Sequence, residues 1–239
     1  MTDLSAFPIT KKWPARHPER LQLYSLPTPN GVKVSIALEE TGLPYEAHLV
    51  SFSTNDQLTP EFLSLNPNNK IPAIVDPDGP NGRPLALFES GAILQYLARK
   101  TGKFFPAAER DRAEVEQWLF WQVGGLGPMA GQAHHFRQYA PEKIEYGIAR
   151  YTNEVNRLYG VMNKRLSAHD YLAGEYSIAD MACIAWVIPH ERQGQDLDEF
   201  PHLKRWYEKV KSRPAVIRGI DVGKEERNRT NLADDKEAQ

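Results

Sequence analysis

Apolar positions change their period along this chain, and the change divides it. In Leu21–Ser25, Leu21 and Leu23 alternate with polar residues as in a short strand, and Leu26-Pro27-Thr28-Pro29-Asn30-Gly31 interrupts it with two prolines and a glycine. From Val32 to Thr41 the spacing becomes helical. Val34, Ala37 and Leu38 share a side, Glu39 and Glu40 face water, and Gly42 with Pro44 stops the turn. Tyr45–Ser51 predicts a second strand, so the first elements form a βαβ unit with the usual right-handed crossover.

Thr59-Pro60-Glu61 opens a short helix expected to run through Leu65: a capping hydroxyl, a proline in the first turn and an acid at the positive end of the dipole. Ala73–Asp76 and Leu85–Phe88 predict a hairpin across the turn-rich Pro77–Arg83 segment. Glu89-Ser90 then precedes a helix with Ile93, Leu94, Tyr96 and Leu97 on its buried side, ended by Lys100 and Gly102. The order through residue 105 is βαβ-α-ββα.

After Phe105-Pro106 no strand pattern is convincing and long helical patterns take over. Ile144, Ile148, Tyr151, Val155, Leu158, Met162 and Leu166 lay one apolar stripe along about six helical turns. Ser177-Ile178-Ala179-Asp180 reads as a capping box opening a buried helix, and His202–Ser212 as a last amphipathic helix. The expected organisation is an N-terminal arm (1–20), an α/β domain (21–105), an all-α domain (106–222) and a charged, disordered tail (223–239).

Composition narrows the function. The chain has 239 residues, 41% of them apolar, with 29 basic against 31 acidic side chains for a net charge of -2. Nothing there attracts a phosphate backbone or an anionic membrane, so nucleic-acid and membrane partners are not expected. The first residues lack the apolar run of a signal peptide or membrane span. A single cysteine, Cys183, excludes an internal disulfide and a Cys-x-x-Cys redox pair, which suits a reducing, cytoplasmic setting. It lies in an apolar run and reads as inert core. His134 and His135 are neighbours that would point about 100° apart on a helix, so no metal site is expected.

Three segments carry candidate chemistry. Thr28-Pro29-Asn30-Gly31 sets a hydroxyl and a carboxamide at a helix N-terminus, where free N–H groups and the dipole favour an anion such as a thiolate; the same residues could simply cap their own helix. Glu89-Ser90 could hold the ammonium and carboxylate of an amino acid, or be an ordinary helix start. Asn66-Pro67-Asn68-Asn69-Lys70-Ile71-Pro72 could be a surface turn, but a cis Ile71–Pro72 bond would present the Ile71 N–H and C=O like a free strand edge to a peptide; the sequence leaves the isomer open. Tyr24 at the end of the first strand could imitate a catalytic tyrosine, though a core role suits a strand position better. Trp118, Phe120, Trp121 and Phe136 read mainly as core or subunit interface.

Taken in this order, with Phe88-Glu89-Ser90-Gly91-Ala92, the run from Trp118 to Gly127 and His134-His135-Phe136, these motifs resemble the glutathione transferases, and within them the nu class. The resemblance spans about Leu21 to Gly219. It implies a thioredoxin-like N-terminal domain, an all-helical C-terminal domain and a homodimer. Glutathione would be a cosubstrate, with Ile71 and Pro72 forming the wall that pairs with its cysteinyl backbone, Glu89 and Ser90 at the γ-glutamyl end, and Gln57 and Lys70 at the glycyl end. Thr28 and Asn30 would sit at the sulfur, with Arg157 and Arg137 as further ligand contacts. The implied activity is disulfide-bond reduction through bound glutathione, cycling glutathione disulfide and acting on a small disulfide. Two alternatives stay open: conjugation or peroxide reduction, with an electrophile as partner, and a non-catalytic glutathione-binding module.

Overall fold

The computed structural model describes residues 4–224. It divides into two compact units, one made of residues up to Leu97 together with those from Ala215 on, the other of Ala98–Pro214.

The first unit contains strands β1 (Leu21–Ser25), β2 (Tyr45–Leu49), β3 (Ala73–Asp76) and β4 (Leu85–Phe88), in the sheet order β2-β1-β3-β4. β1 runs parallel to β2 and antiparallel to β3, and β3–β4 is the expected hairpin. Helix α1 (Pro29–Thr41) follows β1, α2 (Pro60–Leu63) precedes the β3 loop, and α3 (Ser90–Thr101) follows β4. α2 ends two residues sooner than its pattern predicts. α1 is capped by Thr28 and closed by Gly42 in the left-handed region at φ 75°, and it is buried nearly all round, from Val32 to Leu38.

Burial on both faces also explains why β1 does not simply alternate: Gln22 is fully buried, its amide donating to the carbonyls of His17 and Arg20 at 2.9 and 2.8 Å.

Two segments differ from their sequence reading. Residues 4–17, expected as an arm outside the α/β domain, belong to it: Leu4 and Ile9 are buried in the core of this unit and Ile9–Lys12 form a helical turn. A helix the pattern did not suggest, Pro214–Asp221, belongs to the first unit rather than the helical one. Its Gly219 comes so near α1 that a Cβ would stand 2.6 Å from the Ile36 Cα, and its carbonyl accepts the Ser35 hydroxyl at 2.6 Å. Of the tail expected to be disordered, 223–239, all but residues 223 and 224 lie outside the described residues.

The second unit holds α4 (Glu109–Trp121), α5 (Gly127–His134), α6 (Glu145–Leu166), α7 (Ile178–Val187) and α8 (Pro201–Lys211), with π-helical turns at Gln122–Leu126 and His135–Tyr139. The α6 stripe buries Val155, Leu158, Met162 and Leu166, whereas Ile144 stays exposed at the helix start. α7 is buried along its whole length, Cys183 included. Phe120 is 65% exposed, so of the two places expected for the aromatic cluster, core or subunit interface, it does not take the core. No helix among the described residues is long and apolar enough to cross a membrane.

Candidate active site

Strand register gathers three of the candidate segments. Tyr24 pairs with Ala73 and Ala73 with Phe88, so the turn after β1, the loop before β3 and the turn after β4 lie at one end of the sheet.

At the first turn, Thr28 adopts extended geometry and its hydroxyl oxygen accepts the Gly31 N–H at 3.4 Å, leaving its own O–H able to donate elsewhere. Pro29 and Asn30 are the first helical residues, Asn30 partly exposed. Gly31 is required by proximity, since a Cβ would stand 2.0 Å from the Leu26 carbonyl oxygen. Helix dipole and Thr28 hydroxyl therefore stand at one helix start, with Asn30 in its first turn, and none of these groups is a base at neutral pH. The turn can stabilise an anion; it is not built to remove a proton.

Asn66, 2% exposed, knits the second segment. Its amide donates to the Lys70 carbonyl at 2.6 Å and its oxygen accepts the Asn68 N–H at 2.9 Å, while Asn69 takes a left-handed φ of 48°. Lys70 is exposed, and Ile71 and Pro72 are buried across a cis peptide bond. Among the described residues neither the Ile71 N–H nor its C=O finds a backbone partner. That is the presentation a peptide strand needs.

The third segment departs from expectation in detail. Ser90 is the first residue of α3 rather than its cap, and the exposed Glu89 before it is held at φ 71°, a conformation uncommon outside glycine. Lys33, 2% exposed, sends its ammonium from α1 to the Ser90 hydroxyl at 3.3 Å. A buried lysine thus stands beside a helix N-terminus, where the free N–H groups and the dipole favour a carboxylate. Sequence reasoning missed Lys33; its position one turn after Asn30, on a helix buried all round, was the available signal.

The remaining candidates separate. Gln57 is half-buried on the turn Asp56–Leu58, and its side-chain oxygen has no partner among the described residues. Tyr24 is fully buried and stacks on His48 at 4.7 Å; burial, with Glu46 adding to it, pushes its hydroxyl well above the usual tyrosine range, so it is core.

Arg157 and Arg137 belong to the helical unit. Arg157 is exposed and grips both Glu154 carboxylate oxygens at 2.9 and 2.7 Å, and it lines an open groove with Tyr146 and Arg150, a residue its sequence pattern did not single out although it lies about two turns earlier on α6. Arg137 lies over Gly194, where a Cβ would meet its guanidinium carbon at 2.6 Å. His134 is buried against Tyr139 while His135 is exposed.

Residues 19–99 match the family model described as the glutathione S-transferase N-terminal domain, and residues 129–214 match its C-terminal domain. The chain is 55% identical over 200 residues to the disulfide-bond oxidoreductase YfcG of Escherichia coli, covering 82% of this chain and 92% of that protein. It is 44% identical over 230 residues to YghU, a second disulfide-bond oxidoreductase of that organism, covering 90% of this chain and 77% of YghU. Among solved structures, a Burkholderia graminis glutathione transferase with two glutathione molecules per subunit is 57% identical, with a TM-score of 0.89 and coverage of 92% of this chain and 95% of that one. A Pseudomonas putida glutathione transferase holding one glutathione disulfide per subunit is 54% identical, also at a TM-score of 0.89, with coverage of 92% and 99%. The chain that brings Thr28, the Ile71–Pro72 wall and Ser90 to one end of a thioredoxin-like sheet belongs to the glutathione S-transferase family.

Proposed function

We propose that this protein is a glutathione-dependent disulfide-bond reductase of the nu class in which bound glutathione supplies the reacting thiols. The observation that carries the reading is the Thr28–Asn30 turn: anion-stabilising donors at a helix N-terminus, in a chain whose only cysteine is buried in α7. Ile71 pairs with the cysteinyl backbone, with Pro72 completing the wall. Glu89 meets the γ-glutamyl ammonium, Ser90 and Lys33 meet its carboxylate, and Gln57 and Lys70 serve the glycyl end. Arg157, with Arg137 contributing less, contacts the second ligand. A homodimer is part of the proposal, supported by the exposure of Phe120.

The thiol of free glutathione, like a cysteine, has a pKa of about 8.5, so each unit of depression needs about 1.4 kcal/mol of preference for the thiolate. The Thr28 hydroxyl, the Asn30 amide and the dipole of α1 supply that preference. The thiolate attacks one sulfur of the substrate disulfide, forming a mixed disulfide and expelling the other sulfur as a thiolate that takes up a proton. A second glutathione thiolate then attacks the mixed disulfide at the glutathionyl sulfur. Glutathione disulfide forms, the remaining substrate thiol leaves, and two glutathione molecules have been oxidised for one disulfide reduced.

Turnover with glutathione and a model disulfide tests the reading, beside parallel assays with an aryl halide and a hydroperoxide. The disulfide should be the fastest substrate, and Cys183→Ala should retain full activity. A faster aryl halide or hydroperoxide would make the protein a conventional transferase or peroxidase. Binding without turnover of any of the three would make it a binding module.

A further inference from the structure

Residues 4–17 precede the span matched by the family model, yet they pack on the back of the glutathione wall. Leu4 and Ile9 share one buried cluster with Val50, Phe62, Leu65 and Ile71. The Trp13 indole N–H donates to the Leu49 carbonyl at 2.9 Å, and the Glu46 carboxylate accepts the Arg16 and His17 N–H groups at 3.0 and 2.8 Å. Lys12 pairs with Asp56 at 2.7 Å. The other oxygen of that carboxylate accepts the Ser51 N–H at 2.9 Å, so one buried acid, next to Gln57 in the chain, ties the arm to the backbone at Ser51.

We propose that this arm is a positioning element for the glycyl end of glutathione, with Lys12 acting through Asp56 on the placement of Gln57. The inference rests on the glutathione reading above. Lys12 itself touches no ligand. Its ammonium neutralises Asp56, and the neutralised pair holds the turn Asp56–Leu58 against the sheet. Without Lys12 the carboxylate keeps the Ser51 amide but loses its link to the arm, and the turn gains freedom that glutathione binding must remove.

The test measures equilibrium binding of two probes, glutathione and γ-glutamylcysteine, which lacks the glycine. Lys12→Met should weaken glutathione about fivefold, leave γ-glutamylcysteine unchanged, and leave kcat at saturating glutathione unchanged, while Lys12→Arg should restore wild-type affinity. In the Lys12→Met background, Gln57→Ala should cost less than it does in the wild type. Equal weakening of both probes would show that the arm only supports the fold, and unchanged glutathione affinity would remove the proposal altogether. If Lys12→Met does not fold, Lys12→Gln replaces it with the same expected discrimination. Failure of the wild type to bind either probe would instead overturn the glutathione reading.

Discussion

Two helix starts in this protein use the same cap chemistry for different ends. At α7 the box is closed. Ser177 accepts the Ala179 N–H, and Asp180 accepts the N–H groups of Ser177 and Leu172 and the indole N–H of Trp206, at 3.0, 3.1 and 2.8 Å. Burial pushes the Asp180 carboxyl up to about 6 despite these donors. At α1 the cap is Thr28, partly exposed, and the residue that would complete a box is Gly31, which offers no side chain to answer back. A closed cap in the core fixes a helix. An open cap at the end of a sheet leaves a dipole and donors for a ligand.

The comparison can be broken by removing each cap in turn. Asp180→Ala leaves the Leu172 and Ser177 amides, the Ser177 hydroxyl and the Trp206 indole, four buried donors, without this acceptor and should cost about 4 kcal/mol of stability, read as a large drop in the denaturant midpoint; a loss under about 1 kcal/mol would mean that the closed box is not structural. Asn30→Ala together with Thr28→Ala should lower kcat for disulfide reduction by about a hundredfold while stability falls by only about 1 kcal/mol. The pKa of bound glutathione, followed by thiolate absorbance, should rise in the same variant. An unchanged pKa would place thiolate stabilisation elsewhere.

Lys33→Met sharpens the picture at the third helix start. It should weaken glutathione binding about tenfold with little change in kcat at saturation, and equal affinity would show that the buried ammonium serves only the fold.

The smallest effect concerns the arm. Burial alone would raise the Asp56 carboxyl, but hydrogen bonds from Lys12, Ser51 and Thr54 outweigh it and hold the group below the usual carboxylate range. Its stabilising contribution is therefore complete above the unfolded value near 4 and is lost as pH falls through the lower folded value. Wild type should exceed Lys12→Met by about 1 kcal/mol at neutral pH, with the gap closing in acid. A gap that stays constant down to about pH 2 would deny the charge pair any part in it.

Much of the candidate site's local backbone was readable in the chain because its signals are local. Prolines, glycines, asparagines and capping residues act on their own backbone within a few positions, so the turn at Thr28, the braced loop before Ile71 and the Ser177 box could be located before any contact was known. The burial of Lys33 beside Ser90 was not legible, since its partner is 57 residues away. Nor was the return of the last helix, where Ser35 meets Gly219 across 184 residues. The first residues read only as an N-terminal arm because Leu4 and Ile9 are too few to form an apolar pattern, and they become core only when a cluster assembled from distant segments receives them. For Phe120 the sequence left core and subunit interface open. Its hydrophobicity was plain, but which side of α4 faces the unit's own core is set by packing.

The sequence by itself determined the order of elements, the position of each helix start and the residue types able to meet an anion or a peptide edge, because those follow from backbone sterics and side-chain chemistry. Only the tertiary structure decided which starts are closed and which stay open, what stands behind the Ile71–Pro72 loop, and where a buried charge comes to rest. Those depend on surfaces brought together from far along the chain, and no local pattern carries that information.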